Sequence, residues 1–242
     1  MGEDGILPKN LNIKQNGTKE GVRVKILAAT DFHGSTKAID KFAYKIEEEK
    51  ADIAVICGDI THFGSLKIAI NLLSRLKGIR IPILFVPGNC DPPSLAGVDL
   101  EGIRCIHGSH ELIGDLIFFG VGGCPITPFG TPFEMTEDEI ASLLMGCPRD
   151  LSEDQRLILV SHTPPKDTSL DITHLGEHVG SISIRRFVEE RKPLAVLCGH
   201  IHEARGIDRI DNTIMVNSGA ARDGNCAIIL VEDKVYVHLD SL

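Results

Sequence analysis

The sequence predicts an α/β fold with mixed β-sheets, and three observations carry the prediction. Six short apolar runs, VKILAAT, ADIAVIC, PILFVP, RLILVS, LAVLC and TIMVN, recur from Val22 onward with amphipathic stretches among them, the pattern of strands followed by helices. Three further stretches, HELIGDLIFFGVGG, GIDRIDNTIMVNSG and NCAIILVEDKVYVHL, each place two strand-like segments around a tight polar turn, which predicts antiparallel hairpins beside the parallel strands. The 242 residues are enough for one large domain with a full core.

In chain order, residues 1–21 lack the basic start and apolar centre of a secretory leader, so they read as a polar extension ahead of a single domain over 22–242, with Asn16 not glycosylated. Between the first two apolar runs, Ala38, Ile39, Phe42, Ala43 and Ile46 repeat at helical spacing behind a Ser/Thr cap, which predicts a helix. SLKIAINLLSRLKG predicts a second, closing on a basic residue and Gly78. Thr136 and Glu139 form a capping box for a short third helix ending near Gly146, and SISIRRFVEERK predicts a fourth. Two stretches, GGCPITPFGTPFEM and HTPPKDTSLDITHLGEHVGS, are long loops, and loops of that length in a compact domain are usually functional.

Formal charge is −9, so no long-range positive field gathers nucleic acid or an anionic membrane, and an anionic substrate would need a local cation. No apolar run reaches the ~18 to 20 residues of a membrane span. Seven cysteines without a C-x-x-C pair read as small buried hydrophobes in a reducing cytoplasm.

Function is written at the ends of the apolar runs. They terminate in Asp31-Phe32-His33, Gly58-Asp59, Gly88-Asn89, His162 and Gly199-His200-Ile201-His202. Sites in open α/β sheets gather at the carboxyl ends of strands, so five ends bearing metal-ligand side chains point to one cleft. Two carboxylates, one amide and four imidazoles exceed a single tetrahedral site but suit two neighbouring divalent ions, which clamp both oxygens of an in-line displacement.

The ordered set D-x-H, G-D, G-N-C-D, H and G-H-x-H, over roughly residues 25–205, resembles the calcineurin-like metallophosphoesterase superfamily, and its G-N-C-D form with "SHTPP" is similar to the small microbial, Icc-related predicted phosphoesterases. The resemblance implies a four-layer αββα sandwich. It also implies that Asp31, His33, Asp59 and His202 hold one ion, with Asp59 bridging to a second on Asn89, His162 and His200, the metal being Mn²⁺, Fe or Zn²⁺, with Ni²⁺ also to be tried. Two divalent ions, two aspartates and a hydroxide leave a site of +1, matching a phosphodiester. The expected activity is therefore a metal-dependent phosphodiesterase whose partner is a small phosphoester, with no membrane or nucleic-acid partner; the oligomeric state stays open, a homodimer included. The alternatives are a fold kept as a binding scaffold and a metallonuclease.

Many family members have His where this chain has Cys90. A hydroxide nucleophile removes the need for a thiol, so Cys90 and Asn89 are expected to line the substrate, while His62, where the superfamily often has Asp, is the candidate acid for the leaving oxygen. Asp91 is expected to cap the segment after Pro92 and Pro93. His107, His110 and His238 read as surface or turn residues, His174 and His178 as exposed loop residues, and Phe129 and Phe133 as loop anchors or stacking groups.

Overall fold

Each apolar run alternates which face of its strand it presents, and the architecture follows from that alternation. The computed structural model describes residues 23–242; the extension read over residues 1–21, Asn16 included, lies outside the described residues. The strands, in order, are β1 (Val24–Ala29), β2 (Ile53–Ile56), β3 (Ile83–Phe85), β4 (Asp99–Leu100), β5 (Ile103–Cys105), β6 (His110–Ile113), β7 (Leu116–Val121) and β8 (Cys124–Pro125). They continue with β9 (Glu134–Met135), β10 (Arg156–Ser161), β11 (Ala195–Cys198), β12 (Gly206–Ile210), β13 (Thr213–Asn217), β14 (Asn225–Val231) and β15 (Val235–Ser241). The helices are α1 (Thr36–Glu49), α2 (Leu66–Leu73), α3 (Glu137–Leu144) and α4 (Ile182–Arg191).

Two large mixed sheets result. One has seven strands in the order β15-β14-β1-β2-β3-β5-β4, and the other six in the order β12-β13-β11-β10-β7-β6. Within the first, β1, β2, β3 and β5 run parallel, and within the second β7, β10, β11 and β13 do. The three predicted hairpins are the antiparallel pairs β6–β7, β12–β13 and β14–β15.

The period-two pattern sorts side chains into three cores. Ile26 and Ala28 of β1 join Ile53 and Val55 of β2 and meet Phe118, Ile158 and Val160 of the other sheet. The intervening Leu27, Ala29, Ala54 and Ile56 turn outward and pack on Ile39, Phe42 and Leu73 of α1 and α2. On the far side Phe119, Leu159 and Val196 pack on Ile140 of α3 and Ile184 and Phe187 of α4. Three apolar interfaces define four layers, the αββα sandwich. Each buried side chain of this size contributes about 1.5–3 kcal/mol, so all three interfaces carry the stability.

Helix starts match the caps: Ser35 Oγ accepts from the Ala38 amide, Ser181 Oγ from Ile184, and Thr136 with Glu139 forms the full capping box. The second helix is shorter than its pattern. α2 stops at Leu73 and tightens into a 3₁₀ turn over Ser74–Leu76, which tucks Leu76 into the outer core. All seven cysteines are free and buried. Among the described residues no helix is long and apolar enough to cross a membrane.

Candidate metal centre

The parallel strands of both sheets end at one edge of the sandwich, and the loops that follow are stitched to one another by their backbones. The Asp31 amide donates to the Gly58 carbonyl at 3.0 Å and the His33 amide to the Asp59 carbonyl at 2.8 Å, tying the loop after β1 to the loop after β2. The Gly199 amide donates to the His162 carbonyl at 3.0 Å, tying β11 to β10. Four of the predicted donors sit in the left-handed region: Asp31 at φ 57°, His33 at 45°, Asp59 at 51° and His200 at 69°. Such conformations cost about 1–3 kcal/mol each and persist only where the surroundings dictate them.

Two glycines make the close approach feasible. A Cβ on Gly58, itself at φ 101°, would lie 2.5 Å from His162 Nδ1, and one on Gly88 would overlap the carboxylate and amide of Asp59. Asp91 braces the same turns. Its fully buried carboxylate accepts from the amides of Ile60 (3.0 Å), Thr61 (2.7 Å) and Gly88 (2.9 Å) and from the Thr61 hydroxyl (2.9 Å). This corrects the expected cap: the 3₁₀ turn after Pro92 receives no side-chain cap, and Asp91 instead joins the loop of Asp59 to that of Asn89.

The donors converge in two overlapping groups, each with its ligand atoms within 4.8 Å of one another: Asp31, His33 and His202, and Asp31, Asp59 and His162. Asp59 turns Oδ2 toward His33 Nε2 (3.6 Å) and Oδ1 toward His162 Nε2 (3.6 Å), so one carboxylate addresses both groups. Asn89 Oδ1 lies 2.9 Å from His162 Nε2. His200 stands beside them, its ring 5.0 Å from that of His162 and its amide donating to Asp31 Oδ2 at 3.0 Å.

Several of these atoms face one another across the centre. His162 Nδ1 is 2.8 Å from the Cys57 carbonyl, an obligate acceptor, so Nδ1 carries a proton and Nε2 is turned to the Asn89 oxygen. His33 Nε2 and His202 Nε2 face each other at 3.1 Å. Asp31 Oδ1, 3.2 Å from His202 Nε2 but not aligned for a hydrogen bond, is a buried oxygen without a partner. A buried acceptor left without a donor costs free energy unless a cation joins it, and Asp31 Oδ1 is such an acceptor. The residues present therefore fit a pair of divalent ions.

Electrostatics agree. Burial alone would raise the Asp31 carboxyl, but His202, His162 and His33 outweigh it and hold it well below the usual range. Asp59 is pushed up to about 7 by burial and by the carboxylates of Asp31 and Asp91, against the pull of His162. Burial lowers His33 to about 4 and His200 to about 3, leaving both imidazoles neutral, the form that binds metal. His202 is raised by the Asp31 carboxylate beside it.

A family model for calcineurin-like phosphoesterases matches residues 24–204. The chain belongs to this family. An uncharacterised protein of Methanocaldococcus jannaschii is 40% identical over 200 residues, covering 80% of this chain and 87% of the relative. A "Probable cyclic nucleotide phosphodiesterase" of Vesicomyosocius okutanii is 23% identical over 173 residues, 71% of each protein. The fold superposes on the crystal structure of TT1561 of Thermus thermophilus with a TM-score of 0.65 at 20% identity, covering 89% of this chain and 98% of that one.

In this phosphoesterase Cys90 and His62 fall beside the donors, and other predicted residues have partners elsewhere. Cys90 is buried, its amide donating to Asp59 Oδ1 at 2.8 Å, and burial with the Asp59 and Asp91 carboxylates pushes its thiol far above the ordinary range. A neutral thiol is no nucleophile. Exposed His62 lies against the centre with Nδ1 3.3 Å from His33 Nδ1, and its ring forms a further three-donor group with His33 and Cys90. His107 is not a surface residue: half-buried, it accepts from the Gly122 amide at 2.9 Å and packs on Phe133. His178 pairs with buried Asp171 at 2.7 Å, while Phe129 is exposed. One residue that the motifs do not name is Arg222, whose Nη2 is 3.3 Å from His202 Nδ1.

Proposed function

We propose that the chain is a dinuclear metal-dependent phosphohydrolase, with phosphodiesters as its leading substrates. Asp31, His33, Asp59 and His202 hold one divalent ion and Asp59, Asn89, His162 and His200 the other; Mn²⁺ is the first choice, with Fe, Zn²⁺ or Ni²⁺ as alternatives. The observation that carries this reading is Asp31 Oδ1, a buried acceptor without a partner, at the point where the ligand atoms of His33, His202, Asp59 and His162 converge. When bound, such a metal pair lowers the pKa of a water toward ~7 and supplies the nucleophile.

The chain's own groups do the rest. The Cys57 carbonyl holds the His162 ring in one tautomer, and the His200 amide steadies Asp31 from behind. If His33 gives Nε2 to an ion, its Nδ1 proton points to His62 Nδ1, and His62, neutral as the acceptor, keeps its single ring proton on Nε2. Nε2 is then the nitrogen through which His62 serves the leaving oxygen, and Asn89 and Cys90 line the phosphate.

The test is a panel of metal-free protein supplemented with Mn²⁺, Ni²⁺, Zn²⁺ or Mg²⁺ and assayed on chromogenic mono- and diesters. Turnover with at least one ion, lost in Asp59→Asn, is the expected result. Metal uptake without turnover of any ester would favour the scaffold reading. Comparing good and poor leaving groups in His62→Ala tests that residue, whose loss should slow the poor leaving group more.

A further inference from the structure

We propose that Arg222 is an anion-binding point of this centre, through which it accepts phosphomonoester dianions alongside diesters. The inference rests on the proposed function and deepens it by naming what the second negative charge of a substrate would meet.

Arg222 is placed by backbone. The Ala221 amide donates to the Thr30 carbonyl at 2.8 Å and the Arg222 amide to the Asp31 carbonyl at 3.2 Å, so the turn carrying the guanidinium is fixed to the strand end that carries Asp31. Nη2 reaches His202 Nδ1 at 3.3 Å. A guanidinium has five N–H donors, whereas the contacts of this one are a single imidazole lone pair and Asp223 Oδ1 at 3.9 Å, beyond hydrogen-bond reach. The side chain is 42% exposed, open to an incoming ligand.

Metal loading and anion binding are linked through one ring. His202 turns Nε2 toward Asp31 and His33, the side where an ion would sit. A neutral imidazole that gives Nε2 to a metal keeps its proton on Nδ1, and Nδ1 can then no longer accept from Arg222. The guanidinium loses its internal partner when the centre is filled, and a non-bridging phosphate oxygen replaces it. Two ions, two aspartates and a hydroxide give +1, the charge of a diester counterpart; the single charge of Arg222 raises this to +2, which balances a monoester dianion.

The test uses inert probes on Mn²⁺-loaded protein: phenylphosphonate, a dianion, and its methyl ester, a monoanion, titrated calorimetrically. In Arg222→Met, phenylphosphonate affinity should fall about tenfold and that of the methyl ester by less than about threefold, with metal content unchanged. Arg222→Lys should recover part of the loss, as a point charge without the fork. Equal loss for both probes, no loss for either, or a fall in metal content would overturn the inference. Wild-type protein that takes up no metal would overturn the proposed function and this inference with it; metal-loaded wild type with unchanged probe binding in Arg222→Met would overturn this inference alone.

Discussion

The two sheets bring different chemistry to the same edge. The seven-stranded sheet ends in oxygen donors, Asp31, Asp59 and Asn89, with His33 as its one imidazole, whereas the six-stranded sheet ends only in imidazoles, His162, His200 and His202. Their supports differ as well. On the first sheet Asp31, His33 and Asp59 sit in left-handed turns, with Gly58 and Gly88 allowing close approach and Asp91 bracing them; on the second only His200 is left-handed, and the His162 ring is oriented by a carbonyl of the opposite sheet. The centre is therefore a property of the contact between sheets, and neither sheet holds a complete ligand set.

That contrast can be broken most severely at Gly88. Gly88→Ala drives a Cβ into Asp59, and we expect metal uptake and turnover to fall by more than the roughly 10- to 100-fold that a supporting residue costs, as read by metal analysis and rate. A matched pair sharpens the comparison. Phe118 and Phe119 are adjacent on β7 and fully buried, one between the sheets and one beneath α3 and α4. Each change to Ala should cost about 3–5 kcal/mol in denaturant unfolding, but only Phe118→Ala should also weaken metal affinity. Equal metal affinity in both variants would show that the centre does not depend on the packing between sheets.

Asp91→Asn is expected to be milder. It exchanges one acceptor oxygen for a donor among backbone amides, and metal affinity should drop about 10- to 100-fold while the melting temperature falls modestly. The smallest effect is in pH. Asp59, raised from 3.8 to about 7 by burial first, favours its protonated form in the fold, so metal-free protein should lose stability as pH rises from about 4 through 7. Bound cations relieve that cost. The metal-induced rise in melting temperature should thus grow over the same window, and a shift that shrinks with pH would contradict it.

Much of this was legible in the sequence because it is local. Strands, hairpins, the capping box at Thr136 and the donors at strand ends are all set within a few neighbouring residues. What escaped depends on partners distant in the chain. Asp91 looked like a cap for its own segment, yet its acceptors serve residues 60 and 61, about thirty positions earlier. Arg222 follows an unremarkable polar turn, and only tertiary packing sets it beside His202. The same is true of His107, which reads as a turn residue until Gly122 and Phe133 close around it. The apolar spacing after Ser65 continues to Leu76, so it predicts more helix than α2 has; the chain instead closes with a 3₁₀ turn that buries Leu76.

His33 and His202, which face each other at 3.1 Å, are separated by 169 positions in the chain. During synthesis, then, the ribosome must release nearly the whole polypeptide before both halves of the ligand set exist in one place. A cation held by both would find no complete site on the growing chain, so its binding would follow folding, and metal-free protein is expected to be folded.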